Sequence, residues 1–143
     1  MTTDLVPITS TNIAGLEESI ASGGMSSSPA AISAGAGEWI EVAEVQIKVT
    51  FDSAPSANGN TVDLYGANSA DGGTTTDQDA GSKDVGQNFK GTICDDSDAS
   101  TNSYTKTILV HVGRYEELLI ANTTDQSITV NSVYYTGIKV VNS

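Results

Sequence analysis

Glu38-Trp39-Ile40-Glu41-Val42-Ala43-Glu44-Val45-Gln46-Ile47-Lys48-Val49-Thr50-Phe51-Asp52 is the most regularly patterned stretch of the chain. Val45, Ile47, Val49 and Phe51 alternate with Gln46, Lys48, Thr50 and Asp52. A period of two residues places the first set on one face of a β-strand and the second on the other, so this strand buries one side and wets the other. Ile40 and Val42 have the opposite parity, so a bulge or bend is expected near Ala43, where the strand passes between two sheets or bends at an edge.

Working outward, residues 53–60 read as a loop in which Asn58-Gly59 favours positive φ. Residues 61–65 form a strand with Val62 and Leu64 on one face and Asp63 and Tyr65 on the other. Residues 66–90 read as a long loop with Val85 and Phe89 as its anchors, a length unusual inside a compact domain and often functional. A short strand over 91–94 and an acidic turn over 95–103 precede a clear strand, in which Ile108, Val110 and Val112 share a face. Gly113-Arg114 suits a type II′ hairpin link into a strand over 115–121. Residues 127–141 form the last long strand or bent strand pair, in which Ile128, Val130, Tyr134, Ile138 and Val140 share a parity and Gly137 marks a bulge. Six to eight strands, with Val and Ile outnumbering Leu by 23 to 6, give an all-β fold: an antiparallel β-sandwich over 38–143, of jelly-roll type.

Residues 1–37 differ from this body. They are rich in Ser, Ala, Gly and Thr and hold no Lys or Arg. Such a segment lacks the apolar surface to fold alone, so an extended N-terminal arm is expected, ordered only by a surface it lies on. Ile13, Leu16 and Ile20 recur at helical spacing between Asn12 as a cap and Gly23 as a stop, which allows one short helix within it.

The chain has 143 residues, 18 acidic against 6 basic, for a net charge of −12. That balance excludes nucleic acid as a main partner, because phosphate binding needs Lys and Arg to displace counterions, and it disfavours anionic membranes. No apolar run approaches the roughly 20 residues that cross a bilayer, and no secretory leader is visible. Cys94 alone forms no internal disulfide, which fits folding in a reducing cytoplasm.

Catalytic signals are sparse. His111 is the only imidazole, and it lies on the more polar face of its strand. Cys94 sits beside Asp95 and Asp96, whose charge would raise a thiol pKa, and reads as a small core residue. Asp77-Gln78-Asp79 begins like an EF-hand loop, but Ser82 and Asn88 stand where Gly and Glu are required. A less regular calcium site between that loop and Asp95-Asp96-Ser97-Asp98 is one reading, and a solvated, self-repelling surface is the preferred one. Sugar stacking would draw on Trp39, Tyr65, Tyr104, Tyr115, Tyr134 or Tyr135, and the adjacent pair Tyr134-Tyr135 must put one ring on each face. No catalytic, cofactor-binding or metal-ligating residue is assigned.

Gly37-Glu38-Trp39-Ile40-Glu41-Val42, then Val62-Asp63-Leu64-Tyr65 with Asn68-Ser69-Ala70-Asp71-Gly72-Gly73, and later Tyr115-Glu116-Glu117-Leu118-Leu119-Ile120-Ala121-Asn122-Thr123-Thr124, form a pattern that resembles small β-sandwich virion proteins of tailed bacteriophages. The resemblance spans most of residues 37–141 and rests on strands and turns. It implies a non-enzymatic capsid cement or decoration protein without cofactor, made in the host cytoplasm and placed on the virion surface. Its expected partners are the major capsid protein and, as a homotrimer, its own copies, with residues 1–37 clasping neighbours. The alternative expectation is a tail or fibre-associated module that recognises a host surface glycan.

Overall fold

The computed structural model of the chain describes residues 2–27, 30–32, 38–68, 88–98, 103–112 and 116–142. Its strands are β1 (Thr3–Asn12), β2 (Ser19–Ile20), β3 (Ala30–Ala31), β4 (Glu38–Phe51), β5 (Thr61–Asn68), β6 (Asn88–Asp95), β7 (Ser103–His111), β8 (Glu116–Asn122) and β9 (Ile128–Asn142). One sheet has the order β1-β9-β4-β7, with β2 also on β9, and the other the order β3-β8-β5-β6. The antiparallel pairs β1–β9, β3–β8, β4–β7 and β5–β6 are nested in sequence and alternate between the sheets. This is the wrapping of a jelly-roll sandwich.

The core forms where the two sheets face each other. Val45, Ile47, Val49 and Phe51 of β4 are buried against Val62 and Leu64 of β5, Ile108 and Val110 of β7, and Leu118 and Ile120 of β8. The parity change in β4 is a bulge: Ile40 pairs with Lys139 and Val42 with Ile138, leaving Glu41 extra, and the strand stays within one sheet. A second register shift opposite Lys48 and Val49 leaves Asn131 extra in β9. It reverses the parity of that strand, so Ile128 and Val130 share the core with Val133 and Tyr135 while Tyr134 and Ile138 stand exposed, in contrast to the single parity expected. Gly137 is the neighbour of a bulge instead of its site. It pairs with Ala43, and a Cβ there would lie 2.1 Å from the Val42 carbonyl oxygen.

Among the described residues of the 1–37 segment no α-helix forms, and these residues lie along the chain's own sandwich. β1 is an edge strand on β9, one 3₁₀ turn (Ala14–Leu16) replaces the helix, and β2 continues along β9. Ile13, Leu16, Ile20 and Ile32 are buried in the main core. Their spacing is met by a turn and a strand crossing the sandwich. Gly23, at φ +72°, turns the chain toward the second sheet, where the Asn122 amide donates to the Gly24 carbonyl and the Ser26 amide to that of Ile120.

The expected loop over 66–90 is shorter at both ends, because β5 runs to Asn68 and β6 starts at Asn88. Its acidic centre, Asp77 and Asp79 included, and the Gly113-Arg114 link lie outside the described residues.

Candidate functional site

The two sheets differ in what their outer faces show. On the four-stranded sheet, Tyr65, Ala67, Leu119 and Ala121 point away from the core yet are buried in a second cluster with Met25. Asp63, on the same side, is buried and satisfied by the Thr61 and Thr92 hydroxyls, each donating at 2.9 Å. The outer face of the five-stranded sheet is open, and it is the surface on which a ligand or partner has direct access.

The register fixes what that face carries. Gln46 of β4 lies between Thr107 of β7 and Tyr134 of β9, and Asn12 of β1 continues the row. The next row holds Leu109, Glu44 and Thr136, and the one beyond it His111, Val42, Ile138 and Pro7. The face therefore has two regions. One end is apolar: Leu5, Leu109 and Ile138 are 68%, 60% and 43% exposed, and Pro7, Ile8, Val42 and Leu109 help to line a shallow cleft of about 350 Å³. The middle is polar: Ser10, Glu44, Gln46, Thr107 and Thr136 surround Tyr134 in a cleft of about 160 Å³. Among the described residues, none of the side chains of Ser10, Glu44, Gln46, Thr107, Tyr134 or Thr136 makes a hydrogen bond within the chain. Two rows beyond Gln46 the pattern differs, because Thr50 is hydrogen-bonded to Ser103 at 3.0 Å and donates to Asn131 at 2.6 Å.

The remaining residues singled out in the sequence fall elsewhere. Cys94 is buried in the core, as its apolar reading expected. His111 is exposed at the end of β7. Tyr135 is in the core and Tyr104 packs edge-on to Phe51 at 5.8 Å, so neither is a free platform. The side chain of Trp39 and all of Tyr115 lie outside the described residues. The acidic turn is committed to the fold. The Asp96 carboxylate is buried and accepts the backbone amides of Asn58, Gly59 and Asn60 at 3.2, 3.0 and 3.0 Å, and Asp95 accepts the Ser97 amide at 2.8 Å. No group of metal-ligating side chains occurs among the described residues. Two carboxylates away from the open face have displaced pKa values: desolvation pushes Glu117 up, and hydrogen bonds from Ser56 hold Asp125 down.

Period-two alternation required one of Tyr134 and Tyr135 to face outward but did not say which, and it gave no sign of the surroundings. The alternation of β4 already placed Gln46, Lys48 and Thr50 on one face. The pairing of Gln46 with Tyr134, residues far apart in sequence, has no local signal.

No family model and no curated protein matches the chain. Among solved structures, it is similar to part of a family GH115 4-O-methyl-α-glucuronidase with specificity for decorated arabinogalactans, at 10% identity and a TM-score of 0.45. The similarity covers 92% of this chain and 18% of that enzyme.

Proposed function

We propose that this chain is a non-enzymatic virion structural protein, a capsid cement or decoration protein that binds the major capsid protein and neighbouring copies of itself as a homotrimer on the capsid surface. The observation that carries the reading is the apolar end of the open sheet face, where Leu5, Leu109 and Ile138 stand exposed beside Pro7 and Val42. Apolar side chains gathered on one rigid face lose water favourably only against a partner. The likeness of residues 37–141 to phage virion proteins supplies the class of that partner. In this reading residues 1–37 act through β1, which brings Leu5 and Pro7 to the contact, instead of wrapping a neighbour. Pro7 removes an amide from this edge strand, which favours docking by side chains over strand addition.

The test is co-sedimentation with capsids that lack the protein. Leu109→Glu with Ile138→Glu alters exposed positions, so folding is retained and binding should weaken at least about tenfold. Saturation of capsids with parental affinity would overturn the docking face. Light scattering at micromolar concentration tests the trimer, which a strict monomer would exclude. A second reading, a tail or fibre-associated module for a host glycan, is favoured by the outward ring of Tyr134 and the uncommitted polar groups around it.

A further inference from the structure

The polar middle of the open face has a chemistry of its own, distinct from the apolar end. Three strands bring Thr107, Gln46 and Tyr134 into one row and Glu44 and Thr136 into the adjacent row. Strands are roughly 5 Å apart and same-face residues roughly 7 Å apart along a strand. The platform is thus about the size of one or two pyranose rings. Tyr134 is 43% exposed, so part of its ring is offered to a ligand.

We infer that this row is a saccharide subsite for a neutral hexose-containing glycan; the inference deepens the second functional reading and rests on it. Three features decide the ligand class. An exposed aromatic ring is matched by the C–H face of a pyranose, which loses water against it without giving up hydroxyl hydrogen bonds. The Gln46 amide, the Glu44 carboxylate and the Thr107, Thr136 and Ser10 hydroxyls present both donors and acceptors, and no intramolecular bond among the described residues has to break before they engage a ligand. The sign of charge then selects among sugars. Glu44 sits in the cleft of a chain whose net charge is −12, so a uronate or sialylated ligand meets repulsion that a neutral hexose does not. The carboxylate acts as a bidentate acceptor for two adjacent sugar hydroxyls, Gln46 bridges the next position, and Tyr134 sets the plane of the ring.

The experiment is affinity electrophoresis of the full chain through native gels containing β-glucan, mannan, galactan or, as the anionic counterpart, polygalacturonate. At least one neutral polysaccharide should retard the protein, and polygalacturonate should not. Tyr134→Ala and Gln46→Ala should each weaken the retardation at least tenfold, while Tyr134→Phe, which keeps the ring, should retain most of it. Circular dichroism checks that each variant folds, which the exposure of both positions favours. Absence of retardation by all three neutral polymers would overturn the inference, as would equal retardation of Tyr134→Ala or a preference for polygalacturonate. Binding to host envelope glycan that survives Tyr134→Ala would leave the glycan reading standing and remove this site. Failure of the parental chain to bind either the neutral polysaccharides or host envelope glycan would remove the reading itself, and capsid co-sedimentation is scored separately.

Discussion

Replacing Asp96 by alanine removes the side chain that gathers residues 58–60 of the loop 53–60. Its carboxylate is fully buried and accepts three consecutive backbone amides, from Asn58, Gly59 and Asn60, while its own amide donates to the Asn60 carbonyl at 3.0 Å. Hydrogen bonds to a charged acceptor contribute about 1.5–3 kcal/mol each, so the three bound the effect at about 9 kcal/mol. The true loss is smaller, because Asn58 and Gly59 are exposed and their amides recover water when the acceptor is gone. We expect about 3–4 kcal/mol for Asp96→Ala, and about 2 kcal/mol for Asp96→Asn, which keeps the shape but turns an NH₂ toward an amide donor. Urea denaturation followed by far-UV circular dichroism measures both, with an unchanged slope if the native fold is kept. A loss below about 1 kcal/mol in the alanine variant would refute the account. So would a chelator-reversible rise in melting temperature with calcium that is confined to the parent, since that would make Asp96 a ligand and not a loop anchor.

Other features give shorter tests. Leu16 is fully buried, so Leu16→Ala should cost about 2–4 kcal/mol in the same assay, whereas a loss within about 0.5 kcal/mol would return residues 1–37 to the status of a free arm. Gly137→Ala would place a carbon 2.1 Å from the Val42 oxygen and 2.8 Å from the Ala43 Cα, forcing β4 and β9 apart; about 2–3 kcal/mol is expected, and neutrality would show that the bulge at Glu41 yields freely. Asp125 accepts hydrogen bonds from the Ser56 side chain and then from its amide, which lower its folded pKa below the unfolded one. The contribution is therefore present above the unfolded pKa and lost as pH falls through the folded one. The Ser56 amide resonance should titrate with a midpoint below the ordinary aspartate value of 3.8, and a midpoint at or above it would refute the tether.

The sandwich was legible where local chemistry decides. Val45 to Phe51 alternate because one face of β4 is core, the parity break before Ala43 is the bulge at Glu41, and Gly59 takes φ +79° as Asn-Gly turns require. Tyr134 and Tyr135 divide between outside and core for the same reason of period two. The N-terminal segment was misjudged on composition. Its few apolar residues do not fill a core of their own, but Ile13, Leu16, Ile20 and Ile32 complete one built by others. A register shift also hides meaning: Asn131 reverses the parity of β9, and nothing local to Ser127-Ile128-Thr129-Val130 announces it. The candidate saccharide row depends on which strands become neighbours, and that is set by the whole chain.

The nesting of the strands also sets an order of events during synthesis. β9 lies between β1 and β4, and β8 between β3 and β5, so the strands translated last occupy interior positions in both sheets. Until residues 116–142 leave the ribosome, β1 has no partner and Leu16, Ile20 and Ile32 have no complete core to enter. Pairings this distant in sequence close slowly, and a nascent chain carries its unpaired strands throughout. The acidic character of the polypeptide, by keeping growing chains apart, is then useful before the fold exists, on the polysome, as much as afterwards.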